Sequence, residues 1–228
     1  MAKISIVIPV YNEVNNIAEV LRRIAALETD AEKEVVIVDD GSTDGTERIL
    51  ADVERTDLVK IHMSPANTGK GFAVRVGLGY TTGDVVLIQD ADLEYEVSDI
   101  PRIVGPILRG EADVVYGSRF LGDIQRMALP NRVANKILTW TVRILYRADI
   151  TDEATAYKAF RRDLIAAIPL DSNGFEICPE MTAKVLRRGH TIHEVPISYS
   201  ARGVSEGKKI GWKDGYRAMW ALLRYRVG

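Results

Sequence analysis

The chain has 228 residues, 46% of them hydrophobic and 27% charged, which is ordinary for a soluble globular protein with one substantial domain. Its single cysteine, Cys178, excludes an intrachain disulfide and fits a reducing compartment. A strand-like run begins within three residues of Met1 and leaves no room for a signal peptide, and no apolar stretch approaches the roughly 18 to 20 residues that span a bilayer. We therefore expect a cytoplasmic protein that does not cross a membrane by itself.

The net charge of −2 conceals a gradient along the chain. Residues 1–100 contain 9 basic and 19 acidic residues, a balance of −10, whereas residues 186–228 contain 9 basic and 3 acidic residues, a balance of +6. Ordinary drift of charge along a chain is one explanation. The other is an acidic half that attracts a cation and a basic tail that meets phosphate or an anionic surface.

Short apolar runs alternate with helical patterns in the first half. The runs at Lys3–Val10, residues 34–38 and residues 84–88 are rich in Val and Ile on both faces, which is typical of strands in a parallel sheet covered on both sides. Val59–Met63 predicts one more strand. The alternation predicts right-handed crossovers and an α/β fold with a doubly wound, mostly parallel, Rossmann-like sheet, whose ligands bind beyond the carboxyl ends of the strands.

Helices are expected after each of these strands and again near the end of the chain. The first follows Asn15 and Asn16, the second opens at residues 42–44 with Glu47 behind the cap, and the third follows Gly69. The second half predicts strands at residues 113–116 and 191–197 and helices at residues 131–146 and Trp212–Val227. We find no linker or internal repeat, so one domain is expected.

The strongest local signal is the pair of carboxylates directly after the strand at residues 84–88. Side chains two positions apart in an extended segment point the same way, so Asp90 and Asp92 converge, and Glu94 joins them if the extension persists. Hard oxygen ligands suit Mg²⁺ or Mn²⁺, and the lack of nearby His or Cys argues against zinc. A solvated turn without function would show the same D-x-D pattern.

Two further polar clusters follow neighbouring strands and favour a functional site over a solvated turn. Asp39 and Asp40 come directly after the second strand, and residues 9–13 end the first. Asp39 can accept hydrogen bonds from ribose hydroxyls or a base, and Tyr11 can stack on a base. The turns between strands and helices are normally polar, but three clusters at equivalent strand ends favour a nucleotide and metal site.

Competing nucleotide and metal motifs do not fit. Gly69–Lys70 lacks the earlier glycine and the following Ser or Thr of a P-loop. Gly77 and Gly79 end a helical pattern instead of opening one after a strand, which argues against a dinucleotide fingerprint. The EF-hand-like run from Asp40 has Ala51 at its twelfth position, where a calcium loop needs Glu.

The combination of motifs resembles the family 2 inverting glycosyltransferases, which have a GT-A fold. The first-half motifs are IVIPVYNE, VIVDDGSTDGT, NTGKGFAVRVG and DADLEY. The second half continues the resemblance with YGSRF, DEATAYKAF, GFEICPEMTAKVLRRG and EVPISY followed by Arg202 and EGKK. This ending is similar to the polyprenyl-phosphate sugar synthases of the dolichol-phosphate mannose synthase type.

The resemblance implies roles for the matching positions. It implies a metal site at Asp90, Asp92 and Glu94, with Mg²⁺ or Mn²⁺ as the cofactor. It implies that the nucleotide sugar is bound by Pro9, Tyr11, Glu13, Asp39, Lys70, Asp90, Ala91 and Asp92. It implies acceptor-phosphate binding by Arg119, Arg132, Arg202 and Lys208, with Asp90, Asp92, Arg119 and Arg202 as the catalytic set. Residues 1–118 would form the nucleotide-sugar and metal half, and residues 119–228 the acceptor half.

Two departures from the family pattern bear on substrate. Glu94 stands where many dolichol-phosphate mannose synthases have Gln, which leaves the third metal ligand and the sugar open. The segment from Asp152 to Lys158 departs from the D-x-T-S/G-G/S-F-R pattern, which leaves the acceptor open.

The expected reaction is inverting transfer of a hexose from GDP-mannose or UDP-glucose to a polyprenyl or dolichyl phosphate. Such an acceptor is already an anion and needs no general base, only cations that offset its repulsion from the donor. A glycan or other hydroxyl acceptor is the first alternative, with Glu176 or Glu180 as the base. A nucleotide-sugar-binding module without catalysis is the second. No nucleic-acid partner is expected.

A route to a lipid acceptor is suggested by the last helix. One helical face carries the apolar residues Trp212, Tyr216, Met219, Trp220, Leu223 and Val227, which is typical of an interfacial helix on the cytoplasmic face of a membrane. A terminal helix docked on the core would show the same pattern. Residues 137–146 also fit either a membrane-surface helix or a core helix. A separate membrane-anchored partner is a further alternative.

Overall fold

The computed structural model describes residues 2–201 and 211–227. Each predicted apolar run forms a strand in it, and Lys3–Val10 and Val59–Met63 have the predicted bounds. The strands of the described chain are β1 (Lys3–Val10), β2 (Glu32–Asp39), β3 (Val59–Met63), β4 (Val85–Ile88), β5 (Val114–Ser118), β6 (Ile124–Gln125), β7 (Lys158–Arg161), β8 (His193–Pro196) and β9 (Tyr199–Ser200). The helices are α1 (Ile17–Ala26), α2 (Thr46–Ala51), α3 (Lys70–Tyr80), α4 (Ile100–Leu108), α5 (Leu129–Tyr146), α6 (Arg162–Ala166), α7 (Ile177–Arg187) and α8 (Trp212–Val227).

A seven-stranded sheet in the order β3-β2-β1-β4-β7-β5-β8 forms the centre of the fold. All neighbouring pairs are parallel except the two that involve β7. The carboxyl ends of the parallel strands therefore meet at one edge. The mostly parallel, Rossmann-like sheet confirms the predicted fold class.

Helices cover both faces of the sheet and explain why the strands are apolar throughout. Ile4, Ile6 and Ile8 of β1 pack in a cluster with α1, α2 and α4, whereas Val7 packs on the other face. That second cluster contains residues of α3, α5, α7 and α8. Gly77 lets α3 approach β1 closely, because a Cβ there would lie 2.5 Å from Val7 Cγ1.

Two local features differ from the sequence prediction. β7 was not predicted: its four residues insert antiparallel between β4 and β5, a placement fixed by long-range pairing. The second helix starts at Thr46, later than residues 42–44, because Gly45 adopts φ 103° and the Asp44 carboxylate accepts a hydrogen bond from Thr46 N. Among the described helices, none is both long and apolar enough to span a bilayer.

A buried carboxylate fixes the sheet at the edge opposite the carboxyl ends. Glu34 of β2 is fully buried and accepts hydrogen bonds from Lys60 Nζ at 2.6 Å, from both Thr82 N and Thr82 Oγ1 at 2.8 Å, and from the Ser5 hydroxyl. Burial acts to raise the pKa of Glu34, but these hydrogen bonds outweigh it and lower the pKa to about 2. The carboxylate thus links β1, β2, β3 and the turn before β4.

We expect Glu34→Gln to lower the free energy of unfolding by about 2 kcal/mol at pH 7, because the charge-assisted hydrogen bonds are lost. A depressed pKa stabilises the folded state fully above the ordinary value of 4.5, and this contribution disappears as the pH falls toward about 2. Urea denaturation of both proteins at pH 7 and pH 3 measures the difference. An equal difference at the two pH values would contradict this account.

Candidate active site

A cavity of about 780 Å³ lies beyond the carboxyl ends of β1, β2 and β4. One wall comes from the segments that follow these strands, and the other from α5, α7 and the start of α8. The polar and aromatic lining residues are Tyr11, Glu13, Asp40, Asn67, Lys70, Asp90, Asp92, Glu94, Tyr95, Arg119, Asn131, Asn135, Glu153, Phe175, Tyr199 and Asp214. The cavity is where the sequence predicted a ligand site.

Asp90 and Asp92 follow the carboxyl end of β4 and line the cavity. The side chain of Asp90 is 21% exposed and forms an ion pair with Lys70 Nζ, at the first residue of α3. Asp92 is buried, and its Oδ1 accepts a hydrogen bond from Glu94 N at 3.1 Å. Burial disfavours the Lys70 ammonium, but the nearby negative charges, Asp90 first, outweigh this and raise its pKa.

Glu94 lines the same cavity and is held by a contact with β9. Its Oε2 accepts a hydrogen bond from the Tyr199 hydroxyl at 2.8 Å, and its backbone oxygen accepts from Ser200 N. Beyond Ile88 the chain bends, so the alternation of an extended strand does not continue to residue 94. In the described ranges no three His, Cys, Asp or Glu side chains are grouped to hold a metal ion. The predicted set of three ligands is therefore not assembled.

The donor set still fits a divalent cation. Seven carboxylates and two basic side chains are among the described lining residues, so the cavity is acidic where Asp90 and Asp92 reach it. Two hard oxygen ligands leave coordination positions for diphosphate oxygens and water, the usual environment of Mg²⁺. This agrees with the acidic first half of the chain.

The expected nucleoside residues are partly at the cavity. Pro9, Tyr11 and Glu13 line it, as do Lys70 and Ala91. Asp39 is buried and does not line it; its carboxylate accepts hydrogen bonds from Ser42 N at 3.2 Å and from the Ser42 hydroxyl.

Asp40 and Asn67 line the cavity in its place and were missed as site residues. The Asp40 carboxylate accepts hydrogen bonds from Asn67 Nδ2 and from Thr68 N, both at 3.0 Å, and from Gly69 N at 2.6 Å. It thus holds the segment before α3 against the end of β2. The adjacent aspartates Asp39 and Asp40 were the sequence signal, but the sequence did not show which of the two carboxylates lines the cavity.

Gly69 explains part of the NTGKG motif. Its φ of 117° is a left-handed value, and a Cβ there would lie 2.4 Å from the Asn173 carbonyl oxygen. The close approach of the 172–174 segment brings Phe175 beside Lys70, whose Nζ lies 5.9 Å from the Phe175 ring centroid. Glycine here therefore shapes the cavity wall.

Arg119 lines the cavity but is bound by a buried partner. Its Nε and NH2 donate to the two oxygens of Asp152 at 2.7 and 2.8 Å, and its guanidinium lies 5.0 Å from the Tyr199 ring centroid. Arg119 is 5% exposed and Asp152 is fully buried. Two of the three guanidinium nitrogens of Arg119 are therefore engaged by Asp152.

The other predicted phosphate ligands are not brought to the described cavity wall. Arg132 is exposed on α5 and does not line the cavity, although its neighbour Asn131 does. Arg202 and Lys208 lie outside the described residues. Their role stays a prediction.

The two carboxylates considered as a base do not line the cavity. Glu180 is fully buried instead of lying on a helix surface, and accepts hydrogen bonds from Asp171 N and Ser172 N, both at 2.8 Å. Glu176 accepts from Gly174 N at 3.1 Å. Both hold the 171–174 segment in place.

Glu153 is a buried carboxylate of the cavity wall that the sequence did not reveal. Its Oε1 accepts a hydrogen bond from Thr182 Oγ1 at 3.2 Å and lies 3.9 Å from Lys158 Nζ, while its Oε2 has no hydrogen-bond partner. Burial raises the pKa of Glu153. Its position within the segment that departs from the family pattern was the available signal.

The sheet, its crossovers and the carboxylates at the strand ends define a GT-A fold of the Rossmann-like class. The chain belongs to glycosyl transferase family 2, whose model matches residues 5–168.

Several named relatives cover most of the chain. The undecaprenyl-phosphate mannosyltransferase of Micrococcus luteus is 30% identical over 97% of this chain and 98% of its own length. The low-salt glycan biosynthesis hexosyltransferase Agl6 of Haloferax volcanii is 30% identical over 96% of this chain but 53% of its own length. The dolichol-phosphate mannosyltransferase of Pyrococcus furiosus is 29% identical over 92% of this chain and 60% of its own. The chain thus spans little more than half the length of two of these relatives.

A solved structure shares the fold. Glucosyl-3-phosphoglycerate synthase from Mycobacterium tuberculosis, in complex with Mn²⁺, UDP-glucose and phosphoglyceric acid, superposes with a TM-score of 0.76. The match covers 99% of this chain and 80% of that one at 23% identity. This likeness extends the fold assignment to the whole chain.

Proposed function

We propose that this chain transfers a hexose, with inversion, from a nucleotide-diphosphate sugar to a polyprenyl phosphate, and that Mg²⁺ or Mn²⁺ is required. GDP-mannose and UDP-glucose are the proposed donors. Family membership and the polyprenyl-phosphate mannosyltransferases among the relatives support the reaction class. The fold neighbour with Mn²⁺ and UDP-glucose supports the type of donor and cofactor.

The continuity of the cavity is the observation that carries this proposal. It runs from Asp90 and Asp92 to Asn135 and Leu138 of α5 and to Gly215 and Ala218 of α8. The donor half of the site, residues 1–118, supplies five of the seven lining carboxylates, and the half from residue 119 supplies Arg119 and the lining residues of α5, α7 and α8. A soluble donor and a lipid-linked acceptor would therefore meet in one cavity.

Asp90 and Asp92 would hold the metal, with diphosphate oxygens completing its coordination. A bound divalent ion neutralises charge on the departing nucleoside diphosphate. An acceptor phosphate oxygen forms the new bond to the anomeric carbon as the bond from that carbon to the diphosphate oxygen breaks, and the bonding electrons leave with the diphosphate. No proton has to be removed from the acceptor. The residues' task is to align two anions and offset their repulsion.

The outward faces of α5 and α8 supply a route to the lipid. Exposed apolar residues recur along α5 at Leu129, Val133, Ile137, Trp140 and Ile144, and along α8 at Tyr216, Trp220, Leu223 and Val227. The helices pack side by side, with Tyr146 OH donating to Leu222 O at 2.5 Å. α8 docks on the core through Ala218, Ala221, Leu222 and Tyr225, while Tyr216, Trp220 and Leu223 remain exposed.

Charge on these helices matches an anionic surface. α5 carries Arg132, Lys136 and Arg143 and contains no acidic residue. α8 carries Lys213, Arg217, Arg224 and Arg226 against a single Asp214. Apolar anchors with flanking cations are typical of helices that lie in the headgroup region of anionic membranes. We propose peripheral binding to the cytoplasmic membrane face through α5 and α8.

We expect the double variant Trp140→Ser/Trp220→Ser to bind anionic phospholipid vesicles at least tenfold more weakly than the parent, because two exposed aromatic anchors are removed. Vesicle sedimentation at low salt measures this. Tyr80→Ser, which removes an exposed aromatic residue at the end of α3, is the matched control and should bind as the parent does. Equal vesicle binding by parent and double variant would exclude this surface.

The transfer reaction is tested with radiolabelled GDP-mannose and UDP-glucose, a short-chain polyprenyl phosphate and Mn²⁺. The expected result is a lipid-extractable labelled product that does not form when a chelator replaces the metal. If no common donor yields such a product from the folded protein, the proposed acceptor is wrong.

A hydroxyl acceptor is the second candidate, favoured by Glu153. A buried carboxylate with a raised pKa in the cavity wall has the properties of a general base, which a hydroxyl acceptor needs and a phosphate does not. Glu153→Gln should abolish transfer to a hydroxyl acceptor and leave measurable transfer to a polyprenyl phosphate. Assays with both acceptor types separate the two candidates.

A further inference from the structure

The proposed metal ligand Asp90 already has a cation as its partner. The Lys70 ammonium forms an ion pair with Asp90 Oδ1, and both side chains line the cavity. The two are largely shielded, with exposed side-chain fractions of 13% for Lys70 and 21% for Asp90. Lys70 also belongs to the first turn of α3, whose amino terminus faces the same cavity.

We propose that Lys70 is an exchangeable counter-cation of Asp90. Its ammonium pairs with the Asp90 carboxylate in the ligand-free protein and pairs with the donor diphosphate when metal and nucleotide bind together. This role rests on the proposed metal site at Asp90 and Asp92. It makes Lys70 a determinant of the order in which the ligands bind, in addition to a ligand of the nucleotide sugar.

Electrostatics explains why the ammonium and the metal oppose each other without nucleotide. A divalent ion on Asp90 would lie within a few ångströms of the Lys70 ammonium in a partly buried site, where like charges repel more strongly than in water. Metal binding alone must therefore displace Lys70 or bear that repulsion. In both cases the Lys70–Asp90 ion pair weakens metal binding in the absence of nucleotide.

A diphosphate reverses the sign of this interaction. Its oxygens can accept hydrogen bonds from the ammonium and coordinate the metal at the same time, so both cations then face an anion. The positive end of the α3 helix dipole adds to the attraction. Lys70 would thus strengthen the complex of metal and nucleotide while weakening metal binding alone, and the two ligands would bind with positive coupling.

Lys70→Met tests both expected effects, because Met has an unbranched side chain of similar size without the positive charge. Mn²⁺ binding is measured by electron paramagnetic resonance of the free ion, first alone and then with saturating GDP or UDP. Nucleotide binding at saturating Mn²⁺ is measured by calorimetry. Both readouts are independent of catalysis.

We expect Lys70→Met to bind Mn²⁺ alone about tenfold more tightly than the parent and to bind the nucleoside diphosphate with Mn²⁺ about tenfold more weakly. Lys70→Arg keeps the positive charge and should bind Mn²⁺ alone as weakly as the parent does. Arg48→Gln removes a positive charge from an α2 side chain that is 88% exposed and does not line the cavity, and it should match the parent in both titrations.

The outcomes separate this role from the proposed function. If the parent binds no Mn²⁺ even with nucleotide, the metal site itself is wrong and the role of Lys70 falls with it. If the parent binds Mn²⁺ with nucleotide, but Lys70→Met has the parent's affinity for Mn²⁺ alone, the counter-cation role is overturned and the metal site stands. Weakening of both titrations by Lys70→Met would likewise overturn it, since that is the behaviour of a merely structural residue.

Discussion

Asp90→Asn and Asp92→Asn are each expected to lower sugar transfer by about a thousandfold and to abolish measurable Mn²⁺ binding. Each change removes one negative oxygen ligand from a two-carboxylate site, and the lost stabilisation of the leaving diphosphate corresponds to roughly 4 kcal/mol of activation free energy. Asn keeps the shape of Asp92 and can still accept the hydrogen bond from Glu94 N. The stability of Asp92→Asn should therefore change by less than about 1 kcal/mol.

Asp84→Asn is the matched control for this pair. Asp84 lies at the other end of the same strand, is exposed, and accepts a hydrogen bond from Lys3 N at 2.9 Å. The substitution removes the same charge from the same part of the chain, so transfer and metal binding should stay at the parent level. Folded Asp90→Asn protein with the parent's Mn²⁺ affinity would refute the metal site and, with it, the electrostatic account of catalysis.

The local sequence pattern was sufficient to predict where the two aspartates of the proposed metal site lie. Asp90 and Asp92 follow a short apolar strand directly, so a two-residue alternation and a strand end predicted their place in the cavity. The same alternation does not describe Glu94, because the chain bends after Ile88 and the carboxylate accepts a hydrogen bond from Tyr199, a residue more than a hundred positions away. Pattern within a strand thus predicts direction only as far as the strand extends.

Tertiary pairing determined what the sequence could not predict. The strand β7 has four residues and no distinctive pattern, yet it lies between β4 and β5 and positions the Asp152–Lys158 segment at the cavity. The helix α8 was predicted with its bounds, but periodicity identifies an apolar face without showing which face is buried. Ala218, Ala221, Leu222 and Tyr225 pack on the core, and Tyr216 and Trp220 are exposed.

Asp152→Ala is expected to have the largest effect on stability, lowering the free energy of unfolding by about 3 to 5 kcal/mol. The substitution leaves the Arg119 guanidinium, which is 5% exposed, without its carboxylate partner in a desolvated site. The backbone N–H of Arg119 also loses its acceptor at 3.0 Å. For a domain of this size the midpoint of thermal unfolding should fall by roughly 10 °C or more, measured by calorimetry.

An exposed pair of the same geometry provides the control. Arg109 Nε and NH2 donate to the two oxygens of Glu111 at 2.7 and 2.8 Å, distances equal to those of the Arg119–Asp152 pair, but both side chains are more than half exposed. Glu111→Ala should therefore leave the midpoint of thermal unfolding close to that of the parent. Asp152→Asn, which retains two acceptor lone pairs in the same shape, should fall between the parent and Asp152→Ala. If Asp152→Ala and Glu111→Ala shift the midpoint equally, burial does not strengthen the pair, and Arg119 is free to turn fully toward an acceptor phosphate.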